Sequence, residues 1–193
     1  AAVRAGAVKS AVRPEGVGAP VEAGSRLRSE VLFYAVAVVG IVAQDAQHKF
    51  FRLGVMASAV SDGHVQVMSA TMLGEGDCAV VISNSGRSRD LLDVAAIAHK
   101  KGATMIAITA SGSPLARLAQ QGGHVLLAAD HPEDFDRYSP MVSRLLHLVI
   151  IDILTTGVAL RLGSESLRPM LQEIKKNLRT RRYVADAGPA GAA

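Results

Sequence analysis

Three serines, an asparagine and a glycine fall within six positions, Ser83-Asn84-Ser85-Gly86-Arg87-Ser88, and together they offer the chemistry of anion binding. Hydroxyls and an amide supply short-range hydrogen bonds, and Gly86, lacking a Cβ, lets backbone N–H groups approach a bound group closely. An apolar run, Cys78 to Ile82, precedes the loop, and Leu91, Leu92, Val94, Ala95, Ile97 and Ala98 follow it at helical spacing. The order is buried strand, polar loop, helix, with Ser88 as N-cap and Asp90 and Asp93 near the positive end of the helix dipole. Such a loop converges free N–H groups and hydroxyls on one point, which suits a phosphate. The same residues also suit an ordinary strand-to-helix connection whose serines only cap the helix. On the loop alone, both readings stand.

The remaining reactive side chains carry less. The six histidines form no ligand spacing of the His-Glu-x-x-His kind, so neither a metal nor a cofactor is expected. His131 and Glu133 are an acid and a base by type, but no second positioned partner accompanies them, and no catalytic residue is assigned. Lys49 stands four residues after Asp45, where a helix-face ion pair competes with a reach toward ligand. His147, on an apolar helix, reads as a core or interface histidine. The single cysteine, Cys78, excludes an intramolecular disulfide, reads as a buried thiol and fits a reducing cytoplasm.

These residues need a scaffold, and the chain alternates regularly enough to give one. Apolar runs at Val31–Val39, Val55–Val60, Cys78–Ile82, Thr104–Thr109 and Gly123–Ala128 read as strands. Between and after them, helical spacing runs over Gly40–Arg52, Gly63–Leu73, Arg89–Lys101, a segment opened by Ser113-Pro114, and Pro140–Arg161. Residues 21–29 read as a short helix and Ser164–Arg182 as a basic terminal one. Five strands alternating with helices predict an α/β fold, a five-stranded parallel sheet in a three-layer α/β/α sandwich of flavodoxin-like order. Ligands of such sheets sit beyond the carboxyl ends of the strands where strand order reverses. That place falls between strands one and three, so position and chemistry agree on the 83–88 loop.

Charge separates the core from its ends. Residues 1–30 and 161–193 hold the positive excess, while 31–160 carry eleven acids against nine bases, within a net charge of +4. A folded face built for nucleic acid would concentrate basic charge, and this one does not. Residues 1–20, rich in Ala, Gly and Pro, read as linker or the remnant of an upstream region, and 163–193 as a basic helix with a flexible tail. The start lacks both Met and an apolar core, and so reads as a cut end rather than a secretory signal. Leu145–Leu160 is apolar but holds His147, Asp152 and two threonines; it reads as a buried or interface helix, not a membrane span.

Three blocks carry a family resemblance. Ile41–Gly54 (IVAQDAQHKFFRLG), Ile82–Ser88 (ISNSGRS) and Tyr138–Leu154 (YSPMVSRLLHLVIIDIL) resemble, in register, the SIS (sugar isomerase) domain of RpiR-type bacterial transcription regulators, the HexR branch especially. The likeness covers about residues 31–162. It implies an SIS domain over 21–162 that binds a phosphorylated sugar or sugar acid through Ser83, Asn84, Ser85, Gly86 and Ser88, with Val39, Gly40 and Lys49 as further candidates. It implies a cytoplasmic regulator of carbohydrate metabolism, paired as a homodimer or tetramer, meeting DNA only through a helix-turn-helix domain absent from this chain. Two other functions remain: an aldose–ketose isomerase of sugar phosphates, and a domain that only dimerises. The family's first loop reads Gly-x-Gly-x-Ser, and here those positions are Ala35, Val36, Ala37, Val38 and Val39. Both glycines and the serine are missing, which predicts a weakened or altered site.

Overall fold

The apolar runs become the five strands of one sheet: β1 (Val31–Tyr34), β2 (Ala57–Val60), β3 (Cys78–Ile82), β4 (Thr104–Thr109) and β5 (Val125–Ala128). The structure, a computed structural model, describes residues 30–131 and 141–179. All strand pairs are parallel, in the order β2-β1-β3-β4-β5, as the alternating pattern predicts. Helices α1 (Gly40–Phe51), α2 (Gly63–Met72), α3 (Arg89–Lys100), α4 (Pro114–Gln121), α5 (Val142–Leu162) and α6 (Ser164–Arg179) follow. The expected helix at 21–29, the linker at 1–20 and the tail beyond 179 lie outside the described residues.

Side chains alternate across the strands, so one sheet feeds two cores. Phe33, Val80, Ile82, Ile106 and Ile108 meet Val42, Ala46 and Phe50 of α1 and Ile151, Leu154 and Val158 of α5. Leu32, Tyr34, Val81, Met105 and Ala107 meet Ala70, Leu91, Val94, Ala98 and Leu115 on the other face, which belongs to α2, α3 and α4. Phe33 and Phe50 pack edge-on, their rings 5.2 Å apart, and burying each ring contributes roughly 1.5–3 kcal/mol. Cys78 is buried in the first core as expected, and burial pushes its thiol up to about 12.

One boundary differs from expectation. The run Val31–Val39 reads as a single strand, but β1 ends at Tyr34 and residues Ala37–Val39 form a 3₁₀ turn. Val36 packs against the second core and Val39 against the first. A straight strand sends alternate side chains to opposite faces, so two valines three apart could reach opposite cores in either conformation. What breaks the strand is Ala37, whose φ of 51° turns the chain toward α1.

At the sheet's edge, the Ala59 N–H donates to Gln47 Oε1 of α1 at 2.7 Å. Helix α5 buries Ser143, His147, Ile151, Leu154 and Val158 on one side and exposes Val142, Leu145, Val149, Ile153 and Leu160 on the other. It is long and apolar enough to cross a membrane by length and composition. Its buried side nevertheless closes the first core.

Candidate functional site

The polar loop leaves β3 at the predicted place. Ser83 is buried, and its Oγ accepts the Gly86 N–H at 3.1 Å, which folds the loop back on itself. Ser83 therefore shapes the loop as well as lining it. Ser88 sits at the N-cap of α3, but its side chain makes no capping bond. The expected capping role is thus carried by position alone. Ser85 is half-buried with it. Asn84 Oδ1 is a buried acceptor with no hydrogen-bond partner in the protein, a state that costs about 1–3 kcal/mol until a donor reaches it.

Gly86 is required, though for a reason different from the sequence argument. Its φ of 60° is left-handed, and a Cβ there would stand 2.4 Å from Ser113 Oγ and 2.6 Å from Thr109 Oγ1. These neighbours demand a glycine there whatever the loop binds. Thr109 and Ser113 are themselves 3.1 Å apart through their hydroxyls, Ser113 caps α4 by accepting the Ala116 N–H, and the Leu115 N–H donates to the Gly86 carbonyl. The loop is thus keyed into the start of α4.

Other expected residues are placed elsewhere. Val39 is half-buried and packs against the first core. Gly40 opens α1, with Ser61 beside it: a Cβ on Gly40 would meet that side chain at 3.5 Å. Lys49 stands nine residues further along α1, roughly 13 Å from that end of the helix. Its ammonium is held by Asp45 at 2.7 Å and by Asp152 of α5. Burial pulls its pKa down, but the bonds to Asp152 and Asp45 outweigh this and leave it above the usual lysine value. Lys49 ties two helices together and is not part of the loop cluster. The His131 ring donates Nδ1–H to the Ala129 carbonyl at 3.2 Å, while Glu133 lies outside the described residues. Among the described residues no cluster of three metal-ligating side chains occurs.

Sequence reasoning missed four residues around the strand ends. Thr109 and Ser113 seat Gly86; Asp130 accepts the Ser111 N–H at 2.8 Å and joins the loops after β4 and β5. Gln66, fully buried, donates from Nε2 to the carbonyls of Ala35 and Val60. Only Ser113, followed by Pro114, carried a sequence signal, as an N-cap.

The topology, the reversal point and the serine loop match one family, and its SIS domain model aligns with residues 27–157. The chain belongs to the SIS domain family. The HTH-type transcriptional regulator HexR of Pseudomonas aeruginosa is 43% identical over 157 residues, 81% of this chain and 53% of that protein. The bifunctional protein glk of Burkholderia thailandensis is 48% identical over 132 residues, 68% of this chain and 20% of that protein. The SIS chain therefore spans about half the length of the first relative and a fifth of the second. Among solved structures, Vibrio vulnificus NanR complexed with ManNAc-6P superposes with a TM-score of 0.71 at 23% identity, over 81% of this chain and 58% of that one. That likeness establishes the fold of the SIS domain.

Proposed function

We propose that this SIS domain is the effector-binding module of a HexR-type transcriptional regulator of carbohydrate metabolism, and that its effector is a phosphorylated sugar or sugar acid. The observation that carries the reading is the loop after β3. Ser85 and Ser88, both half-buried, stand between the end of β3 and the start of α3 at the strand-order reversal, and the unpartnered Asn84 acceptor belongs to the same loop. A dianionic phosphate fits the donors, and a sugar hydroxyl fits the acceptor. Kinship to HexR supports the regulatory class, and NanR, which shares the fold, is complexed with a sugar phosphate. The module works in the cytoplasm as a homodimer or a tetramer, and operator DNA is met by a part of the regulator outside these residues.

Calorimetry with a panel of pentose, hexose and sugar-acid phosphates tests this reading. One member binds, and Ser85→Ala with Ser88→Ala weakens it by at least about tenfold, as expected when charge-assisted hydrogen bonds are removed, with little change in melting temperature. Failure of every sugar phosphate to bind, or unchanged affinity in the double variant, overturns the assignment. Turnover of any panel member transfers the domain to the isomerases.

A further inference from the structure

The first loop, between β1 and α1, has none of the polar side chains that the family pattern places there, and something else must fix its shape. Val36 and Val39 pack into opposite cores, Ala37 is held at φ 51°, and Gly40 follows at the start of α1. The polar groups that this loop can present to a ligand are therefore backbone N–H and C=O groups. Where they point is decided at Ala35, the last fully buried residue before the turn.

At that point stands Gln66. It lies in the first turns of α2 with no solvent exposure, and α2 is pinned just before it by Asp62, whose carboxylate accepts the Val65 N–H at 3.0 Å. Its Nε2 donates to the Ala35 carbonyl at 3.0 Å and to the Val60 carbonyl at 2.9 Å. The Val60 carbonyl also accepts the Ala35 N–H. The side-chain amide thus adds one rung to the β1–β2 ladder beyond the last paired residues, Tyr34 and Val60. Without it, the buried Ala35 carbonyl loses its partner two residues before the left-handed Ala37. Left-handed backbone at a non-glycine residue persists only where the surroundings over-determine it.

We propose that Gln66 is a positioning residue of the effector site: its buried amide clamps the ends of β1 and β2 and thereby aims the backbone of the glycine-less first loop. This rests on the proposed effector function for its ligand arm alone. The loop's β1 side is then built from main chain held in place from behind, where a serine hydroxyl would otherwise stand.

The test uses Gln66→Met, which keeps the volume and removes both donors, in the 193-residue chain without ligand. Amide exchange of residues 37–42 accelerates by about tenfold or more, while β3 and β4 keep their protection, as local opening predicts. In the Ala37→Gly background the same change has a much smaller effect, because glycine adopts the turn without restraint; a side chain that merely fills space gives no such rescue. Unchanged exchange at 37–42, or equal acceleration in both backgrounds, overturns the proposal. If Gln66→Met does not fold alone, the Gln66→Met/Ala37→Gly double variant does, because glycine relieves the turn; failure of both to fold overturns the proposal. In the ligand arm, phosphorus NMR titration with inorganic phosphate shows weaker binding by Gln66→Met than by the wild type. Equal binding by the two proteins overturns the role in the site. A wild type that binds neither inorganic phosphate nor any sugar phosphate of the panel refutes the effector reading instead, and the exchange result still decides the clamp.

Discussion

Replacing Gly86 by alanine tests the keyed loop most sharply. The new Cβ enters at φ 60°, where a left-handed alanine costs about 1–2 kcal/mol. It also meets Ser113 Oγ at 2.4 Å, Ser113 Cβ at 2.6 Å and Thr109 Oγ1 at 2.6 Å. Ser113 Cβ is rooted in the α4 N-cap and cannot swing away, so the loop or the helix start must shift, an overpacking cost of about 1–3 kcal/mol. Together these give about 2–5 kcal/mol, which lowers the melting temperature by roughly 10 °C for a domain of this size. Chemical denaturation followed by circular dichroism supplies the free energy, and calorimetry with a bound sugar phosphate reads the loss of affinity. Ser113→Gly alone costs a few tenths of a kcal/mol as an N-cap change and about 1 kcal/mol more for the lost bond to the buried Thr109 hydroxyl. Combined with Gly86→Ala it removes two of the three contacts, so the double variant is more stable than additivity predicts by about 1 kcal/mol. A Gly86→Ala protein melting within about 2 °C of wild type, or strict additivity in the double variant, refutes the argument.

Three other outcomes follow from the structure. Cys78, fully buried with its thiol pushed up to about 12, reacts with an aromatic disulfide reagent at pH 8 only as fast as the domain opens; rapid labelling of native protein contradicts its place in the core. His124 is held below its ordinary pKa first by burial and then by the His99 ring, whose Nδ1 lies 2.8 Å from its Nε2. The folded state therefore resists protonation, so its full contribution holds above an unfolded value of about 6.5 and stability falls as pH drops below it. His124→Gln flattens that slope in urea titrations at pH 5 to 8, and an unchanged slope refutes the assignment. Leu145→Glu with Ile153→Glu, both on the exposed side of α5, yields a monomer by light scattering if that stripe joins two subunits, whereas an unchanged mass places the interface elsewhere.

The sheet was readable because its strands are short, apolar and separated by helical spacing and glycines, and the serine loop because three hydroxyls stand together after a strand. Less was readable where one residue serves two elements. Val36 and Val39 look like strand residues in a row of apolar side chains, and only the left-handed Ala37 between them ends the strand. Gln66 reads as a polar residue on a helix, and polarity in a helix ordinarily marks its solvent side. Its burial depends on two strand ends brought beside it by the fold, a coincidence absent from local spacing. Gly86 was singled out correctly, but the neighbours that demand it, Thr109 and Ser113, lie more than twenty residues away. Lys49 was weighed between a ligand and Asp45; its second partner, Asp152, comes from a helix a hundred residues on.

The contact between Gln47 and Ala59 bears on how such domains can associate. An open strand edge invites another strand, and β2 forms one margin of this sheet. With the Ala59 N–H engaged by a helix side chain, an incoming strand would have to displace Gln47 before it could extend the ladder there. On that margin, strand-to-strand growth between copies is obstructed near its midpoint, so β2 is a poor template for continued stacking.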